Sequence, residues 1–119
     1  MEFDSNIPIY QQIINLFQTK IISGELARGE RIPSVRELAA EYGVNPNTMQ
    51  RALTLLEQAG LIYTERTSGR FVTENEEVIS SQKSEMLRKE VDGFISRMSS
   101  MGYGISDIIS TLNDRGNLL

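Results

Sequence analysis

The sequence predicts a mainly α-helical fold with a small β-hairpin, arranged as a winged helix-turn-helix followed by a short α-helical dimerisation region. Three observations predict it: two helix starts lie only eleven residues apart, a β-prone hairpin follows directly, and the last third has apolar residues at coiled-coil spacing. A chain of 119 residues suits one small domain with an appendage. We place the winged domain at residues 1–75 and the helical region at residues 76–119.

The first predicted helix begins beside Pro8, because proline is favoured in the first turn, where no backbone N–H is missed. Apolar residues then recur at helical spacing, as in Ile9, Ile13 and Phe17, until Gly24. We expect a helix with one buried face.

The second predicted helix follows a short extended segment at residues 30–32. Ser34 and Glu37 have the spacing of a capping box, in which each side chain bonds the other's backbone N–H, so we interpret both as structural caps. Gly43 suits a left-handed helix end, and Val44 alone separates it from the next cap. The turn is therefore as short as a helix-turn-helix requires.

The third predicted helix starts at Asn45-Pro46 and runs to about Ala59, since Asn is a strong N-cap and Pro fits the first helical position. Its apolar residues follow an i, i+3, i+4, i+7 pattern and should face the core: Met49, Ala52, Leu53 and Leu56. Polar side chains are left to point outward, namely Asn47, Thr48, Gln50 and Arg51. Amide, hydroxyl and guanidinium groups are those that read base edges in the major groove, so this is the candidate recognition helix.

The predicted wing consists of β-prone runs at residues 61–64 and 71–73 that flank a polar turn. Arg66 and Arg70 lie near its tip, together with Ser68 and Gly69. Arginine is electrostatically favoured in minor grooves and beside phosphates, which makes the tip a second candidate contact.

The last third predicts two short amphipathic helices. The first has an apolar seam spaced 4, 3, 4 and 3 and widened by Ile95: Leu87, Val91, Phe94, Met98 and Met101. Gly102 and Gly104 break it, and Ser106 is the expected cap of a final helix with Ile108, Ile109 and Leu112. The seam is either intrachain core or a dimer interface; we favour one that serves both.

Composition limits the function classes. The chain has neither Cys nor His, which excludes thiolate nucleophiles, Cys/His zinc sites and imidazole general bases. The carboxylates show no paired spacing and no phosphate loop is present, so we predict no enzyme, cofactor or metal. The first residues lack a signal-peptide pattern and no segment is long and apolar enough for a membrane span. We therefore expect a cytoplasmic protein that does not associate with a membrane.

The net charge of −4 argues mildly against nucleic acid, but its distribution matters more. Residues 28–70 contain six arginines and five glutamates, a local charge of +1. Plainer alternatives stay open: Arg51 pairs with Glu57 or Glu41, Thr48 serves as a local cap, or the whole chain is a winged-helix module that binds a protein without specific DNA binding.

Several motifs resemble the GntR family of bacterial transcription regulators: PIYQQI from Pro8, GEL from Gly24, IPSVRELA from Ile32, GVNPNT from Gly43 and GRFV from Gly69. The tail, with MGYGIS from Met101, is similar to the YtrA subfamily. The resemblance implies a homodimer on a palindromic operator near its own operon, often one for a transporter. It implies no particular effector, since this tail is small for the ligand domains of other members.

Residue by residue, the resemblance assigns Arg36 and Thr48 to DNA contact. Pro46 and Gln50 stand where many members have arginine, so those contacts do not transfer. Combining both lines of reasoning, we predict a DNA-binding transcriptional regulator, a homodimeric repressor. Its predicted DNA contacts are Arg36, Asn45, Asn47, Thr48, Gln50, Arg51, Arg66, Ser68, Gly69 and Arg70. Its predicted dimer interface is Leu87, Val91, Phe94, Ile95, Met98, Met101, Ile108, Ile109 and Leu112.

Overall fold

The computed structural model describes residues 2–116, so the last three residues of the predicted helical region lie outside it. Five helices and a three-stranded sheet occupy this part of the chain: α1 (Ile9–Ser23), β1 (Arg31–Ile32), α2 (Val35–Tyr42), α3 (Pro46–Gln58), β2 (Ile62–Glu65), β3 (Gly69–Val72), α4 (Glu76–Ser100) and α5 (Ile105–Asp114). Contacts divide it into two compact units, one up to Gln82 and one from Lys83 onward. We call them the winged unit and the C-terminal unit.

Helix α1 confirms the prediction made from Pro8 and Gly24. Pro8 is the N-cap, and Gly24 ends the helix in the left-handed conformation with φ of 86°. The buried side chains of α1 are Ile13, Phe17 and Ile21. They lie four residues apart, so one face of α1 packs against the core.

The helix-turn-helix is formed by α2 and α3 with a turn at residues 43–45. Gly43 adopts φ of 67°, which L side chains disfavour, and so reverses the chain at once. Ser34 Oγ accepts from the Glu37 N–H at 3.2 Å, and Asn45 Oδ1 accepts from the Asn47 N–H at 2.7 Å. Within residues 2–116 the Glu37 carboxylate does not return the bond to Ser34, so only one half of the predicted capping box forms.

The sheet has three antiparallel strands in the order β1-β3-β2. The predicted hairpin is β2 with β3, in which Glu65 faces Gly69. The third strand, β1, was predicted only as an extended segment, because two residues are too short to show an alternating pattern. Its pairing places Ile32 opposite Arg70 and thereby joins the wing to the start of α2.

The core of the winged unit combines residues from α1, the helix-turn-helix and the sheet. The predicted inner face of α3 is fully buried, with Met49, Ala52, Leu53 and Leu56 at 0–1% exposure. Val78 and Ile79 of α4 pack against the same core, and the amides of Gln18 and Gln82 bond at 3.0 Å. The first two turns of α4 therefore lie with the winged unit, beyond the predicted boundary at residue 75.

Tyr42 fixes α2 to α1 at the edge of the core. Its hydroxyl accepts a hydrogen bond from Lys20 Nζ at 3.2 Å. Its ring packs edge-to-face against the ring of Phe17, with 6.0 Å between the ring centroids. The hydrogen bond that Lys20 donates to the Tyr42 hydroxyl raises the pKa of Lys20 above its ordinary value.

The C-terminal unit differs from the prediction in two details. Helix α4 has 25 residues, whereas the sequence predicted a short helix. It contains no proline, and Gly93 inside it does not break it; Gly102, with φ of 91°, follows its end. The N-cap of α5 is Gly104, not Ser106. Asp107 Oδ2 accepts from the Gly104 N–H at 2.8 Å, and an acidic residue at the third helical position favours this earlier start. No helix within residues 2–116 is long and apolar enough to cross a bilayer.

Candidate nucleic-acid interface

The polar face of α3 is exposed, as the periodicity predicted. Asn47, Gln50 and Arg51 are exposed, whereas Thr48 is half-buried. Asn45 Oδ1 is occupied by the helix cap, and the Gln50 amide donates to the Thr54 hydroxyl at 3.1 Å. A base contact by Gln50 would therefore require this bond to be exchanged or shared, whereas the side chains of Asn47 and Arg51 are exposed.

Arg51 has a partner that sequence reasoning missed. Its guanidinium carbon lies 3.8 Å from the centroid of the Tyr10 ring, on α1. The two acidic partners considered for it do not pair with it among residues 2–116; Glu57 instead accepts a bond from the Thr64 hydroxyl. Forty-one positions separate Tyr10 from Arg51, so no local pattern could reveal the stack.

The wing tip is a three-residue turn whose main chain is held from outside the hairpin. Arg31 Nε, on β1, donates to the Ser68 carbonyl at 3.1 Å. Gly69 has φ of 111°, and a Cβ placed there would lie 3.3 Å from Arg31 Nε. Arg66 and Ser68 are exposed at the tip. Arg31 was not among the predicted site residues, because its link to the wing depends on the unforeseen third strand.

A groove of about 220 Å³ separates the wing from the start of α2. Its polar lining comes from Arg31, Ser34, Thr64 and Arg70. Arg70 is half-buried, and its Nε has no hydrogen-bond partner within the described residues. The groove thus joins two guanidinium groups to the positive end of the α2 dipole, an arrangement suited to an anion such as a backbone phosphate.

The remaining charges decide how much positive potential this surface keeps. The ion pairs within residues 2–116 are Lys20 with Glu25, Arg28 with Glu76 and Arg88 with Glu85. None of them uses the arginines of the candidate interface: Arg31, Arg36, Arg51, Arg66 and Arg70. Their charges are therefore available to phosphate despite the small local excess. In the same part of the chain, no group of three or more acidic side chains is arranged to hold a metal.

The predicted dimer residues lie in the C-terminal unit, and most of them are exposed. Leu87, Met101 and Leu112 are 66%, 61% and 60% exposed, and Val91 and Ile109 are also exposed. The others are half-buried: Phe94, Ile95, Met98 and Ile108. Side chains of α4 and α5 line one cleft of about 460 Å³, so part of the seam meets α5 within the chain.

The sequence comparisons agree with this architecture. Residues 9–72 match the family described as "Bacterial regulatory proteins, gntR family". The chain is 37% identical over 101 residues to the uncharacterized HTH-type transcriptional regulator YhcF of Bacillus subtilis, covering 85% of this chain and 84% of YhcF. It is 42% identical over 71 residues to the HTH-type transcriptional repressor YtrA of the same organism, covering 60% of this chain and 55% of YtrA.

Solved structures add the fold and a DNA complex. A GntR family transcriptional regulator from Listeria monocytogenes superposes with a TM-score of 0.88 at 38% identity, covering 94% of this chain and 98% of that one. The DNA-binding domain of AraR in complex with operator ORR3 superposes with a TM-score of 0.54 at 30% identity, covering 61% of this chain and 86% of that one. The chain therefore belongs to the GntR family and its YtrA subfamily, and it is a DNA-binding transcriptional regulator built on a winged helix-turn-helix.

Proposed function

We propose that the protein is a homodimeric repressor that binds a palindromic operator beside its own operon. The observation that carries this proposal is the exposed apolar face of the C-terminal unit, combined with a polar recognition helix in the winged unit. A dimer supplies two recognition helices, and the symmetry of an operator mirrors that of its protein.

The case for a homodimer starts from the packing of α4 and α5. Residues 83–116 contain no fully buried side chain, yet Leu87, Met101 and Leu112 are large, apolar and mostly exposed. Full burial of one such side chain contributes about 1.5–3 kcal/mol. A second copy offers a complementary face through a two-fold axis, and this covers the seam without any further protein.

The case for direct contact with operator bases comes from the exposed polar and cationic side chains of the winged unit. Asn47 and Arg51 present amide and guanidinium groups on α3, the types that bond base edges. Arg36 on α2 and Arg66 on the wing are exposed and can reach phosphates on either side. In a dimer the two copies of α3 would enter successive major grooves about 34 Å apart.

Repression is proposed by analogy with relatives. YtrA and NagR of Bacillus subtilis are both described as HTH-type transcriptional repressors, and the chain is 42% and 36% identical to them over the matched residues. A dimer on an operator that overlaps a promoter would exclude RNA polymerase. The family resemblance further suggests an operon for a transporter and action in the cytoplasm.

The test is selection of genomic fragments. The purified 119-residue chain is mixed with sheared genomic DNA and competitor DNA, and the retained fragments are sequenced. We expect a site with two symmetric halves next to the protein's own gene, and higher transcription of that operon when the gene is deleted. If no fragment survives competitor DNA, the winged unit serves a protein partner instead.

A further inference from the structure

We propose that Tyr10 is a positioning residue for operator binding, which aims the Arg51 guanidinium at the DNA. This inference rests on the proposed use of the α3 face for operator contact. It gives a role in DNA recognition to a residue of α1, which otherwise contributes its apolar face to the core.

The guanidinium carbon of Arg51 lies over the ring of Tyr10 in the winged unit. Arg51 Cζ lies 3.8 Å from the Tyr10 ring centroid, well within the 6 Å range of a cation–π contact. Tyr10 is half-buried against the core, so its ring is anchored, whereas Arg51 is exposed. Arg51 also follows Asn47 by four residues, which puts both on one face of α3.

The contact with Tyr10 leaves the N–H groups of the Arg51 guanidinium able to donate hydrogen bonds to DNA. The five N–H groups lie in the plane of the guanidinium and point outward from its edge, so a contact between the guanidinium carbon and the ring leaves them free to donate. No carboxylate within residues 2–116 pairs with Arg51. The edge is therefore available for bidentate bonds to a phosphate or to guanine O6 and N7. Because the ring already restricts the side chain, less rotamer freedom is lost on binding.

A purely structural role is the competing explanation, since the stack also joins α1 to α3. These helices already share a buried core that includes Ile13, Phe17, Met49 and Leu53. A contact at the solvent edge adds little to such an interface, and this makes stability and DNA affinity separable in experiment.

The test compares Tyr10→Leu with Tyr10→Phe, which keeps the ring and loses the hydroxyl. Affinity for the duplex recovered by genomic selection is measured in the wild-type and Arg51→Ala backgrounds, and thermal unfolding is recorded for each variant. We expect Tyr10→Leu to raise Kd about threefold to tenfold, because the Arg51 side chain would no longer be restricted by the ring and would have to be ordered on binding. Tyr10→Phe should stay within about twofold of wild type, and in the Arg51→Ala background Tyr10→Leu should change Kd less than about twofold.

Three results would overturn the proposal. Equal effects of Tyr10→Leu with and without Arg51 would show that the two residues act independently. A loss with Tyr10→Phe as large as that with Tyr10→Leu would assign the contact to the hydroxyl. A lower unfolding temperature with unchanged Kd would assign the stack to stability alone. Failure of the proposed function is distinct, because the wild-type protein itself would then retain no specific duplex.

Discussion

In the winged unit thirteen apolar side chains are buried, whereas none of the side chains described in the C-terminal unit is buried. The two units have similar helices but different uses for their apolar faces. The winged unit buries most of its large apolar side chains within one chain, although Ile7 and Ile9 are 40% and 43% exposed. The C-terminal unit keeps large apolar side chains exposed, which fits a surface completed by a second copy.

The largest expected effect comes from the same substitution made in each unit. Leu53→Ala removes a fully buried side chain from α3 and should lower the free energy of unfolding by about 2–5 kcal/mol. Leu87→Ala, at a position 66% exposed in the single chain, should instead weaken self-association. Urea unfolding at several protein concentrations measures both. If Leu87→Ala lowers the free energy of unfolding by an amount that does not depend on protein concentration, Leu87 stabilises the single chain and not a dimer.

Phe94→Asp places a charge on the apolar seam and should give a monomer whose operator affinity falls by at least tenfold. Ser96→Asp adds the same charge two residues away at an exposed position of α4, so it is the matched control. Light scattering gives the mass and gel shift the affinity. The seam would be refuted if the Phe94→Asp variant kept the mass of a dimer.

Arg36→Ala should weaken operator binding by about 1–3 kcal/mol and reduce the salt slope by about one, because one phosphate neutralisation is lost. Dimer mass should be unchanged. Arg88→Ala serves as the control, since Arg88 is an exposed arginine of the C-terminal unit. Gel-shift midpoints at several salt concentrations decide the matter, and equal midpoints for Arg36→Ala and wild type would remove Arg36 from the interface.

The smallest predicted effect concerns the support of the wing. Arg31→Ala removes the bond to the Ser68 carbonyl and one of the two guanidinium charges of the groove, so it should weaken operator binding about threefold to tenfold. Arg28→Ala is the control, because Arg28 pairs with Glu76 away from the wing tip. If both variants bind as wild type does, the wing needs no support from β1.

The sequence predicts the features whose causes are local. The cap at Asn45, the left-handed end at Gly43 and the buried face of α3 each depend on residues within about one or two turns. Ser106 shows how a local pattern misleads: it is a good cap residue, but Asp107 favours a start at Gly104.

What could not be predicted joins residues that are distant in the chain. The strand β1 forms only because β3 offers it an edge, and the bond from Arg31 to Ser68 depends on that strand. The stack of Arg51 on Tyr10 likewise requires α1 and α3 to be packed first. The polar, exposed face of α3 could thus be predicted from the sequence, whereas the Tyr10 ring that contacts Arg51 could not.

The central claim is that the winged unit reads DNA as one half of a pair held by the C-terminal unit. The most direct test is the mass of the complex between the 119-residue chain and its selected operator duplex, measured by light scattering. We predict two chains of 13.4 kDa per duplex, and the loss of this stoichiometry in Phe94→Asp. A single chain bound to the duplex with an affinity that Phe94→Asp does not change would contradict the claim.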